Sequence, residues 1–376
     1  MRFLHTADWH LGRTLGGFSL REDQAHMLGA EFPRLVQDTR PDAVLLAGDV
    51  FDRSVPPAEA VALLDDILHR VVVGLGVPVV MIPGNHDDPR RLAFGARMLA
   101  AAGLYIGDSP LGRVIRLADA HGEVAIVAAG YASPLALAQA AQGEAFADHD
   151  AAFAWLAPQL HGLCGETRRR VLVAHAFVAG GTESESERPV SIGGTGQIGA
   201  DRFAGFDYVA LGHLHRPQAL AAGRLRYSGS PLAYSGSEAG QQKAMLLVEM
   251  DATGTVTTEA LPLTPLRGLR QLRGSFAELR QGPVVEDFVI VTLTDALPVA
   301  DAQRQLAERY PHIIGFSYEA PPRPPRAVTV ADHAARALQP LALFAEFHAA
   351  QRGTPPPEAA RPVLAAAIAA AEQAPA

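Results

Sequence analysis

Five short segments of the chain carry side chains that can hold divalent cations. They supply oxygen and imidazole donors without any thiolate: Asp8, His10, Asp49, Asn85, His175, His213 and His215. This mixture suits Mn²⁺, Fe²⁺ or Zn²⁺ better than a structural zinc. Seven ligands are too many for one tetrahedral ion, but they fit two ions that share a bridging carboxylate. Two such ions can orient an attack on a phosphoester and lower the pKa of a water toward about 7.

The spacing within these segments supports the same chemistry. In an extended segment, the pairs Asp8/His10 and His213/His215 would each place both side chains on one side of the backbone. A glycine directly precedes Asp49 and another precedes His213, and glycine permits the tight turns that a crowded site needs. Any one pair occurs often by chance in a solvated loop. The segments indicate a site because they occur together, each at the end of a predicted strand.

The elements that must position these side chains alternate along the first 265 or so residues. Short apolar runs predict strands buried on both faces, at residues 2–6, 43–47, 77–82, 124–128, 171–174, 208–211, 225–227 and 244–250. Helical patterns occupy residues 21–39, 57–75, 90–102 and 147–163. Strands that alternate with helices predict a layered α/β domain. Ligands collect at the carboxyl ends of strands in open α/β sheets, so we expect the five segments to meet in one crevice.

From about residue 266 the pattern changes to a strand at 284–293, a helix at 299–308 and a strand at 313–318. These predict a compact α+β unit, followed by a stiff Pro-rich connector at 320–326. Two short helices at 330–351 and 357–372 form the tail, and the first carries an apolar stripe. That stripe must pack on the body of the protein or on a partner, and both remain open. We therefore divide the chain into domains at 1–265, 266–320 and 321–376.

Composition excludes several classes of protein. Hydrophobic residues make up 48% of the 376 residues and charged residues 19%, which excludes a largely disordered chain. Cys164 is the only cysteine, which excludes an intramolecular disulfide and a cysteine metal site and fits a reducing compartment. The N-terminus lacks a signal-peptide pattern and no apolar run is long enough to span a bilayer, so we expect a cytoplasmic protein. A net charge of −8 argues against binding nucleic acid through bulk charge alone.

The set D-x-H, G-D-x-x-D, G-N-H-D, a lone histidine and G-H-x-H resembles the calcineurin-like metallophosphoesterase superfamily. A narrower resemblance, to the bacterial SbcD family of Mre11-like nucleases, rests on residues 1–12, 48–53, 82–87, 184–188, 191–194, 227–232 and 237–240. The resemblance implies an α/β fold, namely a metallophosphoesterase layered β-sandwich flanked by helices. It also implies a small α+β capping domain and a C-terminal helical tail.

The resemblance also assigns roles to the metal-binding segments. One metal would be held by Asp8, His10 and His215, and the other by Asn85, His175 and His213, with Asp49 as the bridge. His86 would be catalytic: it would steady the transition state and protonate the leaving oxygen.

The roles of three residues next to these ligands remain open. Asp87 orients His86 or a ligand, or else caps a turn. Asp52 stands where some archaeal relatives carry a histidine that handles the DNA strand, which leaves such a role in doubt here. Arg53 either meets a substrate phosphate or is an ordinary surface arginine.

By the same resemblance, the chain is a two-metal DNA nuclease subunit in DNA end processing, repair, recombination and replication. Its activities would be 3′→5′ exonuclease on double strands and endonuclease on single strands and hairpins. Two Mn²⁺ ions, DNA and an SbcC-like ATPase of the SMC (Rad50) type would be its cofactors and partners, in a heterotetramer built on a homodimer, without a membrane. The segment that docks the ATPase would include Leu341, Phe344, Phe347, Val363, Leu364 and Ile368.

Two other functions remain open. A phosphomonoesterase or cyclic-nucleotide phosphodiesterase could use the same fold and metals, because fold and metals do not set the substrate. A non-catalytic scaffold could recruit a partner through the tail, although scaffolds tend to lose intact ligand sets. Two divalent cations would add positive charge where the scissile phosphate sits, so the acidic balance predicts only that this chain holds DNA weakly without its ATPase partner.

Overall fold

The computed structural model describes residues 1–187, 196–319 and 340–372. The strands of these residues, in chain order, are β1 (Arg2–Thr6), β2 (Thr14–Leu15), β3 (Phe18–Ser19), β4 (Ala43–Ala47), β5 (Val79–Ile82), β6 (Leu104–Ile106), β7 (Arg113–Asp119), β8 (Gly122–Ala129), β9 (Arg169–His175), β10 (Tyr208–Gly212), β11 (Gln218–Leu220), β12 (Leu225–Tyr227), β13 (Ala244–Met250), β14 (Val256–Pro262), β15 (Leu269–Gly274), β16 (Phe288–Leu293) and β17 (Ile313–Tyr318).

Two six-stranded sheets form the body of the protein. The first has the order β14-β13-β1-β4-β5-β6, and the second has the order β11-β12-β10-β9-β8-β7. Strands β1, β4, β5 and β6 run parallel in the first sheet, as do β8, β9, β10 and β12 in the second. The carboxyl ends of the parallel strands therefore lie together along an edge of each sheet.

The apolar runs explain why the sheets pack face to face. Successive side chains of a strand point to opposite faces, so a strand buried on both faces must be apolar throughout. In β4, Leu45 packs into the core between the two sheets, while Val44 and Leu46 pack under the helices that cover the first sheet. The sequence predicted these layers, and the observed fold confirms the predicted layered sandwich flanked by helices.

The helices of the described residues cover the outer faces of the sheets or belong to the C-terminal parts. In chain order they are α1 (Arg21–Gln24), α2 (Phe32–Thr39), α3 (Ala58–Leu68), α4 (Pro89–Leu92), α5 (Ala96–Leu99), α6 (Pro134–Ala140), α7 (His149–Leu163), α8 (Phe276–Gln281), α9 (Ala302–Leu306), α10 (Pro340–Arg352) and α11 (Arg361–Glu372). The predicted helix at 21–39 exists as α1 and α2 joined by a π-helical segment at Ala25–Glu31. The predicted helix at 90–102 is broken between α4 and α5, because Gly95 adopts a left-handed conformation with φ of 75°.

A three-stranded parallel sheet of β15, β16 and β17 forms the small C-terminal unit, with α8 and α9 packed on it. The sequence predicted β17 with its observed bounds and β16 and α9 with shifted ends. It did not predict β15, whose pattern alternates with charged residues. Phe18 of β3 contacts the rings of Phe288 and His312, which ties this unit to the larger body. The three-domain division stays a prediction.

In the tail, α10 and α11 contact each other. The predicted connector at 320–326, the first part of the predicted helix at 330–351 and residues 191–194 fall outside the described residues. Within the part of the chain that the structure describes, no helix has both the length and the apolar content to cross a bilayer.

Candidate metal centre

The carboxyl ends of five parallel strands bring the predicted ligands together. Asp8 and His10 follow β1, Asp49 follows β4, His175 is the last residue of β9, and the remaining segments follow β5 and β10. The site is thus built from both sheets rather than from a single open sheet. Except for the half-buried Asn85, the seven side chains are buried, although six of them are ionisable. Burial of so many ionisable groups in one place indicates a functional centre.

Asp8, His10 and His215 form the first cluster, with one donor atom of each within 4.8 Å of the others. The Nε2 atoms of His10 and His215 lie 3.1 Å apart. Two imidazole nitrogens at this distance share a proton or direct their lone pairs at a common cation. The Asp8 Oδ2 atom is buried and has no hydrogen-bond partner.

Asn85, His175 and His213 form the second cluster. The Oδ1 atom of Asn85 lies 2.9 Å from His175 Nε2 and 3.2 Å from His213 Nδ1. The other ring nitrogen of His213, Nε2, is buried without a partner. Because buried polar atoms almost always find a partner, the unpartnered Asp8 Oδ2 and His213 Nε2 atoms fit a centre that holds cations.

Asp49 lies between the two clusters. Its Oδ2 atom is 3.5 Å from His175 Nε2 and 3.6 Å from His10 Nε2. Its Oδ1 atom accepts a hydrogen bond of 2.9 Å from the backbone N–H of His86. The carboxylate can therefore serve both clusters while it fixes the loop that carries His86.

Burial sets the protonation states of the centre. It lowers the pKa of His10 and of His213 to about 3, which keeps both imidazoles neutral and able to donate lone pairs. Burial and the neighbouring Asp49 raise the pKa of Asp8. Burial also raises the pKa of Asp49, but its neighbours His175, His10 and His86 outweigh burial and hold this pKa below its usual range. Two buried carboxylates and neutral imidazoles are the donor set that a divalent cation would satisfy.

The backbone at the centre is strained. Asp8, His10, Asp49 and His213 have φ values of 55°, 44°, 47° and 104°. They are four of the nine non-glycine residues with positive φ in the described ranges 1–187, 196–319 and 340–372. Such conformations are disfavoured for L-residues, and they concentrate at functional sites where the surrounding structure enforces them.

Glycines allow the strand ends to approach. A Cβ atom at Gly84 would lie 2.1 Å from Asp49 Oδ1. At Gly212 it would lie 1.9 Å from the carbonyl oxygen of Ala47. These distances exclude any side chain at either position, so both glycines are needed for the close contact between the segments.

His86 is buried beside His10 and Asp49. Its Nδ1 is 2.9 Å from the backbone carbonyl of Asp52, while its Nε2 is 3.9 Å from Asp49 Oδ2. Donation from Nδ1 to that carbonyl turns Nε2 toward the two clusters. The Asp52 carboxylate is 2.9 Å from Arg13 and 3.4 Å from His10 Nδ1. The side chain of Arg53 is 67% exposed and lies 3.8 Å from Asp52.

Asp87 holds the loops of the centre in place. Its carboxylate accepts hydrogen bonds of 2.9 to 3.0 Å from the backbone N–H groups of Val50, Phe51 and Gly84. Burial and the charge of Asp49 raise its pKa to about 7. These contacts join the loop after β4, which carries Asp49, to the loop after β5, which carries Asn85 and His86. Whether Asp87 orients a ligand or caps the turn stays a prediction.

Sequence reasoning gave no role to a group of side chains behind His215. They are Ser186, Glu187, Glu238 and Lys243. One signal was available, because Lys243 is the only lysine in the sequence and directly precedes the apolar strand β13. The glutamates and the serine lie in segments 184–188 and 237–240, which carry part of the family resemblance, but nothing in those segments indicates a contact with His215.

Comparison with known proteins agrees with the geometry. A family model described as calcineurin-like phosphoesterase matches residues 1–217, and one described as type 5 capsule protein repressor C-terminal domain matches residues 265–352. The chain is 33% identical over 326 residues to the SbcD subunit of nuclease SbcCD from Staphylococcus saprophyticus, with 84% of each chain covered. It is 30% identical over 321 residues to the same protein of Staphylococcus epidermidis, with 84% of this chain and 85% of that chain covered. The crystal structure of the calcineurin-like phosphoesterase YfkN from Bacillus subtilis matches 70% of this chain and 90% of its own at 12% identity, with a TM-score of 0.34 that is too low to bear on the fold.

Proposed function

Because the chain belongs to the calcineurin-like phosphoesterase family, and within it to the SbcD subunits of SbcCD nucleases, we propose that it hydrolyses DNA phosphodiesters with two metal ions. Its activities are 3′→5′ exonuclease on double strands and endonuclease on single strands and hairpins. Its role is in DNA end processing, repair and recombination.

One observation carries the proposal. Seven donor side chains from five strand ends converge in one centre, and the unpartnered atoms Asp8 Oδ2 and His213 Nε2 face no protein donor or acceptor there. Asp8, His10 and His215 hold one ion and Asn85, His175 and His213 the other, with Asp49 as the bridge. Mn²⁺ is the proposed metal, and the donor types also admit Fe²⁺ or Zn²⁺.

Bound at these donors, the two cations supply charge for the phosphate and lower the pKa of the attacking water. The protein supplies the remaining chemistry through His86. Its Nδ1–H donates to the Asp52 carbonyl, so the ring is held with Nε2 directed at the centre. In the protonated state, Nε2–H donates to a phosphate oxygen and then transfers its proton to the leaving oxygen. Asp52 keeps the ring in place through its main chain, and the exposed side chain of Arg53 contacts a flanking phosphate.

A comparison of substrates tests the function. The purified protein with Mn²⁺ should cleave hairpin DNA and should degrade end-labelled double strands, with little action on cyclic nucleotides or phosphomonoesters. His86→Ala should abolish cleavage while both ions are retained, whereas the exposed control His121→Ala should behave as wild type. Hydrolysis of cyclic nucleotides without DNA cleavage would favour the small-molecule alternative, and full cleavage by His86→Ala would remove His86 from the mechanism.

The second part of the proposal is a homodimer. Val61, Phe94, Met98 and Leu99 form an exposed apolar patch beside a groove of about 530 Å³, and Phe94 is 84% exposed. Such a patch on a monomer favours association. Sedimentation should show a dimer for wild type and a monomer for Phe94→Ser with Met98→Ser. The control Leu135→Ser, at an exposed leucine of α6, should stay dimeric.

The third part concerns the tail. Phe344, Phe347 and Val363 are exposed on α10 and α11, while Leu341, Leu364 and Ile368 are half-buried. We propose that these residues dock an SbcC-like ATPase, which supplies much of the grip on DNA, and that the assembly is a cytoplasmic heterotetramer. Phe347→Glu should abolish co-purification with the ATPase and leave the Mn²⁺-dependent cleavage of short hairpins intact. Co-purification of Phe347→Glu at the wild-type ratio would contradict this assignment.

A further inference from the structure

The chain has 32 basic residues but only one lysine, and that lysine is buried. Lys243 is 5% exposed and lies immediately before β13. An ammonium group is costly to bury unless it is paired and fully hydrogen-bonded. Every other cationic side chain of the sequence is an arginine, so this position calls for a lysine in particular.

The contacts of Lys243 explain the choice. Its ammonium group donates to the carbonyl oxygen of His215 at 2.9 Å, to Ser230 Oγ at 3.0 Å and to Glu238 Oε2 at 2.5 Å. These three closest acceptors match the three protons of one nitrogen, and Gln241 Oε1 lies farther away at 3.5 Å. The planar fork of a guanidinium cannot aim three donors from a single point.

Glu238 is the next member of the chain of contacts. Its side chain is buried, and its Oε1 atom accepts a hydrogen bond of 2.5 Å from Ser186 Oγ. The same oxygen accepts from the backbone N–H of Tyr234 at 3.2 Å and from Ser235 Oγ at 3.0 Å. A carboxylate with this many donors, next to an ammonium, is an acceptor only.

These contacts determine which neighbour accepts the hydrogen bond from the Ser186 hydroxyl. Its single proton goes to Glu238, so the Ser186 oxygen must accept from His215 Nδ1, which lies 2.6 Å away. His215 therefore carries its ring proton on Nδ1 and its lone pair on Nε2. That Nε2 faces the Nε2 of His10, within the first cluster.

We propose that Glu238, held by Lys243 and acting through Ser186, is a positioning residue that fixes the tautomer and ring orientation of His215. The proposal rests on the proposed function, since it takes His215 as a metal ligand. A carboxylate that orients a ligand histidine from behind raises metal affinity, and its loss typically weakens binding 10–100-fold. The geometry here inserts a serine hydroxyl between carboxylate and imidazole.

The alternative is that Glu238 and Lys243 are only a structural ion pair. Removing one charge would not separate the two roles, because an unpaired buried charge destabilises the fold by itself. Removing both charges together does separate them, since the replacement of a buried pair by neutral side chains of similar volume is often tolerated. The double variant Glu238→Gln with Lys243→Met meets this condition, and Ser186→Ala removes the relay with a change of one atom.

The experiment measures Mn²⁺ binding to the metal-free full-length chain by calorimetry and by electron paramagnetic resonance. Wild type should bind two ions and give the signal of a coupled pair. The double variant and Ser186→Ala should stay folded, lose about 10-fold or more in affinity for one ion, and give the signal of an isolated ion at limiting Mn²⁺. The control Glu249→Gln, at an exposed ion pair with Arg2, should match wild type.

Two results would overturn the proposal. One is a folded double variant that binds both ions with wild-type affinity, and the other is Ser186→Ala with unchanged binding, which answers the question even if the double variant does not fold. A wild-type chain that binds fewer than two ions would instead refute the proposed two-metal function. The two failures are therefore distinguishable.

Discussion

Replacing Gly84 by alanine should damage the centre without changing any ligand. A Cβ atom there would lie 2.1 Å from Asp49 Oδ1 and 2.3 Å from the Asp49 backbone nitrogen. The φ angle of Gly84 is not in the left-handed region, so alanine can adopt the local backbone. The effect of the change is thus purely steric. The new methyl group would clash with Asp49, whose carboxylate is proposed to bridge the two metals.

The structure gives the size of the effect. Ordinary contacts between heavy atoms begin near about 3.5 Å, so the new methyl group and Asp49 must separate by roughly 1 Å or more. A misplacement of about 1 Å in a catalytic group can reduce the rate about 100-fold. Asp49 Oδ1 also accepts from the His86 backbone N–H at 2.9 Å, so the shift should displace His86 as well. We expect a loss of cleavage of about 100-fold or more.

The assay is Mn²⁺-dependent cleavage of an end-labelled hairpin, with metal stoichiometry measured on the same samples. Gly162→Ala is the matched control, because Gly162 is exposed in α7 and a Cβ there would meet no atom within 4 Å. It should keep full activity and gain about 0.5–1 kcal/mol in stability. Cleavage by Gly84→Ala within about threefold of wild type, with both ions bound, would refute the steric reasoning.

Three further predictions follow from the same contacts. Burial lowers the pKa of His5 to about 3 from 6.5, so below about pH 6 the unfolded chain binds a proton that the folded chain does not. Through His5 alone, the unfolding free energy of the metal-free protein in urea should therefore fall by up to about 1.4 kcal/mol per pH unit as pH drops toward 3, in addition to the similar contributions of His10 and His213. His5→Gln should remove the His5 share of the slope, and equal slopes for the two proteins would contradict the prediction. Asp52→Asn should weaken Mn²⁺ binding about 10-fold in calorimetry, because the Asp52 carboxylate lies 3.4 Å from His10 Nδ1. Unchanged affinity would show that this contact does not contribute to metal binding. Mn²⁺ at about 100 times its dissociation constant should stabilise the fold by about 2.7 kcal/mol. An unfolding midpoint that does not change when Mn²⁺ is added would contradict the proposal that the centre binds metal.

The fold was predictable where burial dictates a simple pattern. Strands β1, β4, β12 and β13 have the predicted bounds, because each is an apolar run between polar turns. The placement of the ligands at strand ends followed from the same runs. Strands with an exposed face were missed, such as β14, where exposed and half-buried positions alternate and the apolar signal is weak. The break of the helix at 90–102 was also missed, because a left-handed Gly95 depends on the packing around it.

The candidate site divides in the same way. The ligands are recognisable in the sequence because five short motifs of Asp, Asn and His occur together, each at the end of a predicted strand, although any one of them alone occurs often by chance. The side chains behind His215 are not recognisable in this way. Ser186, Glu238 and Lys243 meet only once β10 and β13 have taken their places in two different sheets. The sequence marks Lys243 as the only lysine and places Ser186 and Glu238 in segments that resemble the family, but it does not show that the three residues meet. Only their convergence in three dimensions suggests the positioning role proposed for them.

The strain and the charge of the centre have a common explanation. Four proposed ligand residues adopt left-handed backbone conformations, each of which costs of order 1–3 kcal/mol. The buried carboxylates of Asp8 and Asp49 add their mutual repulsion. The two sheets and their helices can offset these costs through three apolar core clusters, which pack between the sheets and under the helices. A divalent cation between the two carboxylates would offset this repulsion. The strained backbone and the paired carboxylates are therefore both explained by a centre that positions its donors for cations.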